Sequence, residues 1–259
     1  MCQMKQNGRI PHAFNLIEML IVMAVISILA AMLFSAVTAA KKRAQRATCL
    51  NNLRQINLGI RMYADDSHDA PPTPGLATPA SDPFTLYNGY KSLMKNYLNL
   101  NGTSAPSEKI FDCPADLFYP AQIFTNSSIP AGQYVPKSLH DEPFLDYSSY
   151  VFNGGNNLTR TNQSRNIVVP RPGLGGVKLS SVKHPARTAL ISEGSAPCPW
   201  SWHDPSRSTK FNDAKNMVSF VDGHVSYIKM YWDSAFNNGH SQAFMYDPPA
   251  GYDYQWSPN

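Results

Sequence analysis

Charge is scarce in this chain: Asp, Glu, Lys and Arg make up 15% of its 259 residues, and 22 basic against 18 acidic side chains leave a formal net charge of +4. So small a surplus argues against a nucleic-acid partner. Enzyme signatures are missing too. There is no G-x-S-x-G, no H-E-x-x-H and no phosphate-binding glycine loop, so the chemistry those spacings support has no local carrier. The four cysteines contain no C-x-x-C pair, which leaves no zinc or redox motif of the compact kind. Internal repeats and low-complexity tracts are absent. Glycine, at 15 residues, is outnumbered by 21 prolines, most of them beyond residue 70, so the distal part should be rich in loops and short strands rather than long helices. What is abundant is apolar side chain, 43% of the total, and this excludes a fully disordered chain.

That apolar content is concentrated near the start. From Met19 to Ala40 there are 22 consecutive residues without a charge, enough to meet the roughly 20-residue requirement for crossing a bilayer. A basic lead, MCQMKQNGRIPHA, precedes the run and KKRAQR follows it. This order resembles a secretory signal, but the run exceeds the roughly 7–15 residues of a signal-peptide core, and no small-x-small cleavage site lies at its far end. Glu18 sits inside the edge of the run. A carboxylate in a membrane helix costs about 2.5–3.5 kcal/mol at the helix centre, so an ionisable residue there asks for a function and a partner. The plain alternative is an uncleaved anchor with Glu18 reaching the headgroups.

The stretch Ala13-Phe-Asn-Leu-Ile-Glu-Met-Leu-Ile-Val resembles the processing site of type IV prepilins and type II secretion pseudopilins. In that family a dedicated peptidase cuts before a Phe and methylates the new amine. Phe14, Leu16, Ile17 and Glu18 carry the likeness, while Ala13 stands where the family normally has Gly. The resemblance implies cleavage between Ala13 and Phe14, N-methylation of Phe14, and pairing of Glu18, as the fifth mature residue, with the Phe14 ammonium of a neighbouring subunit. Two charges that are each expensive in lipid become tolerable when they neutralise one another. Removal of the leader takes Lys5 and Arg9 with it and lowers the net charge to +2, 20 basic against 18 acidic residues. By charge alone, Lys41, Lys42, Arg43 and Arg46 would hold the C-terminal part in the cytoplasm. The resemblance implies the reverse, with the leader inside and the head outside. The same basic run reads as a collar at the surface of anionic lipid.

Leu50, Leu53, Ile56, Ile60 and Tyr63 recur at spacings of three and four, with Asn51, Asn52, Arg54, Gln55 and Arg61 between them, the pattern of a helix with one buried stripe. Pro71-Pro72 ends it. A helix from about Phe14 to about Asp65 is roughly 78 Å long at about 1.5 Å per residue, far more than the ~30 Å hydrocarbon layer needs. A second, shorter helical face is formed by Leu86, Tyr90, Leu93, Met94 and Tyr97. Residues 187–192 read as a buried strand, and the stretch from Asn216 to Lys229 reads as a hairpin turning at Asp222-Gly223. Cys49-Leu-Asn-Asn-Leu-Arg-Gln-Ile, Phe111-Asp-Cys-Pro-Ala-Asp, Ser148-Ser-Tyr-Val-Phe-Asn, His184-Pro-Ala-Arg-Thr and Phe220-Val-Asp-Gly-His-Val extend the resemblance to pilin-like proteins expanded in Planctomycetes, Verrucomicrobia and Lentisphaerae. The His that this group often places shortly before its Asp-Gly is matched in part, by His203, 19 residues upstream of Asp222.

Once Cys2 leaves with the leader, Cys49, Cys113 and Cys198 remain. An exported head favours one bridge, with Cys49–Cys113 preferred because it ties a loop of the head to the helix; all three pairings are open to the sequence. His203, Asp222 and His224 form a candidate metal set, though Asp222 is explained by its turn and His224 by the strand that follows. No cofactor is expected, and calcium fits an Asp-based site better than zinc. Asp65-Asp66 and Asp141-Glu142 read as solvated acids. The tail aromatics Tyr246, Tyr252, Tyr254 and Trp256 read as packing rather than as a sugar- or partner-binding surface.

The expected architecture is α+β. Residues 1–13 are the leader, 14–40 the transmembrane half of a long helix, 41–68 its amphipathic stalk, and 69–259 a small antiparallel-sheet head with long loops. The expected function is non-enzymatic: a subunit of a type II secretion pseudopilus or related filament in the bacterial inner membrane, with its head in the periplasm or outside the cell. Its partners would be its own copies or related subunits, the prepilin peptidase, the inner-membrane assembly platform and the lipid bilayer. The alternative is a membrane-tethered extracytoplasmic protein whose head binds polysaccharide or calcium, or an enzyme for which the helix is merely an anchor.

Overall fold

The computed structural model describes residues 15–73, 89–120, 134–154, 173–196, 201–204, 214–231 and 247–259. The Ala13–Phe14 junction, Leu86, Cys198 and Tyr246 fall outside them. The fold is α+β: one long helix, α1 (Leu16–Asp66), and a four-stranded antiparallel sheet. Two compact units divide the chain, Met1–Ala44 and Gln45–Asn259.

In the first unit α1 is apolar on every side. Fifteen large hydrophobic residues from Leu16 to Val37 are exposed, Leu16 by 76% and Phe34 by 73%. A helix apolar all round has no polar face to turn to water. Its three hydroxyls are already satisfied: Ser27 donates to the Met23 carbonyl at 2.7 Å, Ser35 to Met32 at 2.8 Å and Thr38 to Phe34 at 2.8 Å. By length and composition this helix is able to cross a membrane.

In the second unit the character of α1 changes. Cys49, Leu53, Ile56, Ile60 and Ala64 are buried along one stripe, and Leu50 and Tyr63 pack at its margins. Two asparagines lie on the same buried side. The apolar spacing puts Asn52 on the polar face; it is buried, and its amide donates to the Asp112 carbonyl at 2.9 Å, which removes the cost of burying it. Asn57 donates to Ser219 Oγ at 2.6 Å and to the Phe220 carbonyl at 2.8 Å. Helix α1 stops where His68 and Asp69 turn left-handed (φ 58° and 68°), with the Asp69 N–H returning to the Ala64 carbonyl at 2.8 Å. It therefore ends before the prolines are reached.

Helix α2 (Tyr90–Met94) continues as a 3₁₀ turn, Lys95–Leu98. Its buried face carries Tyr90 and Met94 of the apolar one expected, together with two lysines. Lys91 and Lys95 point inward while Leu93 is exposed by 37%. The reason is Glu108, which faces both ammonium groups at 2.9 and 2.6 Å. Strands β1 (Tyr119–Pro120) and β2 (Tyr134–Val135) form a two-residue ladder. The main sheet is built from β3 (Tyr150–Phe152), β4 (Ala189–Glu193), β5 (Lys215–Phe220) and β6 (Val225–Lys229), neighbours in chain order. The hairpin β5–β6 closes over Val221–His224, where Gly223 takes φ 99°, a conformation that side chains disfavour. The tail completes the fold: Tyr254 and Trp256 are buried beside Val218 and Phe220. The reading of these aromatics as packing holds for the two of them.

The recurring short motifs act as joints. Asp116 accepts from Ser149 Oγ at 2.8 Å and Ser138 Oγ at 3.0 Å, and Ser149 Oγ in turn accepts the Cys113 N–H at 3.0 Å. Asn153 donates to the carbonyls of Ala189 and Trp256 at 2.7 and 2.8 Å. The Asp222 N–H donates to the Pro185 carbonyl, and Arg61 to that of Val221. Burial pushes the Asp116 carboxyl up to about 7, outweighing the hydrogen bonds that would lower it. Its unfolded value is about 3.9. Between those values the folded chain holds a proton that the unfolded chain has lost, so the stability this group contributes falls as pH rises from about 4 to 7. Thermal melts of the wild type and Asp116→Asn at pH 4 and pH 8 should diverge, the wild type losing a few kcal/mol more over that interval. Parallel profiles would contradict the assignment.

Candidate functional site

Two places in the described chain carry unusual chemistry. The first is the start of α1. Asn15 Oδ1 accepts from the Ile17 N–H at 3.3 Å, and Glu18 Oε2 accepts from the Asn15 N–H at 3.1 Å. This is a capping-box arrangement, in which the side chain at the helix entry takes one free amide of the first turn, that of Ile17, and the Glu three residues on takes the amide of the entry residue. The Glu18 carboxylate therefore lies at the positive end of the helix, where negative charge is favoured. Phe14, its expected partner residue, is outside the described part.

The second place lies in the core of the other unit. Cys49 on α1 and Cys113, just beyond the 3₁₀ turn Lys109–Phe111, form a disulfide with Cα atoms 5.3 Å apart. This is the pairing preferred from the sequence. Glu193, the last residue of β4, and His203 press against it. Cys113 Sγ lies 3.6 Å from Glu193 Oε1 and 3.7 Å from His203 Nε2, and those two atoms are 2.8 Å apart. All four residues are buried. The other Glu193 oxygen accepts the Met217 N–H at 2.9 Å. Arg46 donates to the His203 carbonyl at 3.3 Å and stacks over Tyr227 at 4.8 Å. This last residue of the basic run is thus packed into the second unit, whereas Lys41, Lys42 and Arg43 are exposed.

The candidate metal set His203, Asp222 and His224 is not what the fold brings together. Among the described residues the ligating atoms that converge are those of Cys49, Cys113, Glu193 and His203, all within 4.8 Å of one another. His224 Nδ1 instead donates to Asp222 Oδ1 at 2.6 Å, and its ring stacks on Phe220 at 4.3 Å. Both contacts stabilise the hairpin turn. Glu193 was not singled out by the sequence, although a carboxylate closing a buried apolar strand is itself a signal. Of the acid pairs, Asp65, Asp66 and Asp141 are exposed, as expected of solvated acids; Asp66 also accepts from Tyr97 at 2.8 Å, and the half-buried Glu142 accepts from Tyr119 at 2.7 Å and pairs with Lys137 at 3.1 Å. No family model, curated protein or solved structure matches the chain.

Proposed function

We propose that this chain is a pilin-like structural subunit, cut between Ala13 and Phe14 by a prepilin peptidase and assembled through α1 into a type II secretion pseudopilus or related filament. In this reading residues 14–40 cross the bacterial inner membrane, the leader faces the cytoplasm, and the unit Gln45–Asn259, with the stalk part of α1, stands in the periplasm or outside the cell. The observation that carries the reading is the change of character along one continuous helix. It is apolar on all sides as far as Val37 and then carries a single buried stripe from Cys49 to Ala64. An anchor alone needs no such continuation. A subunit whose head is built around the continuation of its membrane helix does. Ala24, Ser27, Ala30, Ala31, Ser35 and Ala36 supply small side chains along which copies of the helix can approach closely in lipid.

Glu18 gives the test. The capping box is retained by Gln at the third helical position, but Gln brings no charge to meet an ammonium group. Both Glu18→Gln and Glu18→Ala should insert into the membrane normally, and neither should assemble, as read by filament yield or secretion in the native host. Wild-type assembly by Glu18→Gln would reduce Glu18 to a helix cap. Normal assembly by Glu18→Ala would remove any role for it between subunits.

A further inference from the structure

The disulfide does not explain its surroundings. A neutral S–S bond needs no carboxylate and no imidazole, yet Glu193 is 0% and His203 4% exposed beside it. Burying such groups is costly unless something compensates. Glu193 finds the Met217 N–H and His203 Nε2, and His203 Nδ1 has no hydrogen-bond partner among the described residues. Two cysteine sulfurs, a carboxylate and an imidazole converge within 4.8 Å; with the bridge reduced to thiolates they would make a ligand set that zinc takes in tetrahedral sites.

The spacing around Cys113 Sγ matches that geometry. Metal–ligand bonds of about 2.0–2.3 Å place tetrahedral ligand atoms roughly 3.3–3.8 Å apart. From Cys113 Sγ the separations to Glu193 Oε1 and His203 Nε2, 3.6 and 3.7 Å, already fall in that range, and Cys49 Sγ lies within 4.8 Å of both atoms. Two edges are shorter: the sulfurs are covalently joined, and Nε2 and Oε1 share a hydrogen bond of 2.8 Å. Both can open once the S–S bond is reduced and the His203 proton moves from Nε2 to the unpartnered Nδ1, which frees Nε2 to ligate while the ring stays neutral. The supports around the ligands are also in place. The Met217 N–H holds the second Glu193 oxygen, Ser149 Oγ holds the Cys113 N–H, and Arg46 holds the His203 carbonyl, the kind of outer contacts that orient metal ligands.

We propose that the dithiol form of this chain binds one zinc ion through Cys49 Sγ, Cys113 Sγ, Glu193 Oε1 and His203 Nε2, so that metal and disulfide are exclusive occupants of one site. A dithiol reductant gives two electrons and two protons to the S–S bond, closing to its own disulfide and leaving two thiols. Zinc then displaces the two thiol protons to solvent and is held by the thiolates. A small-molecule disulfide oxidant reverses the sequence by taking two electrons from the thiolates, and the zinc ion is expelled. The ligands come from positions 49, 113, 193 and 203, which is why no compact cysteine spacing announces them. The inference concerns the unit Gln45–Asn259 and stands apart from the assembly reading.

The test uses the full-length chain in detergent, reduced with a dithiol and exchanged anaerobically into reductant-free buffer. One equivalent of zinc should remain after desalting, and cobalt(II) should give the thiolate charge-transfer and intense d–d absorption of a tetrahedral site. The oxidised chain should bind neither, and a disulfide oxidant should release the zinc. Loss of an outer support costs about 10–100-fold in affinity, so loss of a ligand in His203→Ala should weaken zinc binding by at least about 100-fold. His203→Gln, which keeps the side-chain volume closer to native, should do the same and guards against misfolding of the smaller variant. The proposal is overturned if the reduced wild type binds zinc no more tightly than Cys49→Ala/Cys113→Ala, if it fails to fold and zinc does not restore it, or if both His203 variants keep full affinity.

Discussion

Glu108→Ala is expected to cost about 3–5 kcal/mol of stability, the range found when one partner of a buried ion pair is removed. Two ammonium groups depend on this carboxylate: Lys91 at 2.9 Å and Lys95 at 2.6 Å, with side chains 0% and 2% exposed. Lys91 has further acceptors in the carbonyls of Asp146 and Tyr147, at 2.7 and 2.8 Å, and lies over the Phe111 ring at 4.6 Å. Those contacts carry no full charge, so the substitution strips two core ammonium groups of their ion-pair partner and leaves them only the through-space attraction of the Asp146 carboxyl. Denaturant titration in detergent measures the effect, and a loss under about 1 kcal/mol would contradict the reading. Changing all three residues to apolar ones of similar size, Lys91→Met/Lys95→Met/Glu108→Leu, should cost far less than Glu108→Ala, because no charge is then stranded. The pH dependence has a definite sign. Burial alone would raise the Glu108 carboxyl, but the hydrogen bonds from Lys95 and Lys91 overcome it and hold the group below its usual value. Its contribution is therefore present above the unfolded value of about 4.3 and is lost as the pH falls through the lower folded value. Asp116 acts in the opposite direction.

Removing the disulfide is the second large effect. The bridge joins residues separated by 64 positions, and restricting a loop of that size in the unfolded chain is worth about 4 kcal/mol on the chain-entropy account. Cys49→Ala/Cys113→Ala should lower the denaturation midpoint accordingly under oxidising conditions. The loss also has a native-state component, since Cys49 and Cys113 are 0% exposed in the main core and two sulfur atoms leave space that neighbours fill incompletely. A midpoint within about 1 kcal/mol of wild type would show that the bridge neither restrains the unfolded chain nor supports the core. The same variant provides the baseline for zinc binding by the reduced protein.

Helix α1 was legible because two local patterns coincide in it: a long uncharged run, and apolar side chains at spacings of three and four from Leu50 to Tyr63. The hairpin was legible because Asp222-Gly223 is a turn signal that acts over a few residues. What stayed hidden depends on partners far along the chain. Reading α2 by hydrophobic period assumes that lysine faces water; Lys91 and Lys95 face inward because Glu108 meets them there, along with two carbonyls at Asp146 and Tyr147, which both take positive φ. Asn52 was assigned to the polar face for the same reason, its acceptor being the Asp112 carbonyl. The Cys49–Cys113 pair was one of three open pairings in the sequence, whereas Glu193 and His203 become its neighbours through the strand order of the sheet and the course of the chain after β4. A cluster gathered from four separate segments leaves no spacing to read.

The central claim is that α1 is an assembly helix released by prepilin processing, and peptide mass spectrometry of the N-terminus of the protein from its native membrane tests it most directly. The account predicts a mature chain that begins at Phe14 with a methylated amine. A chain that still begins at Met1 or Cys2 would contradict it and leave α1 an anchor for the unit that follows.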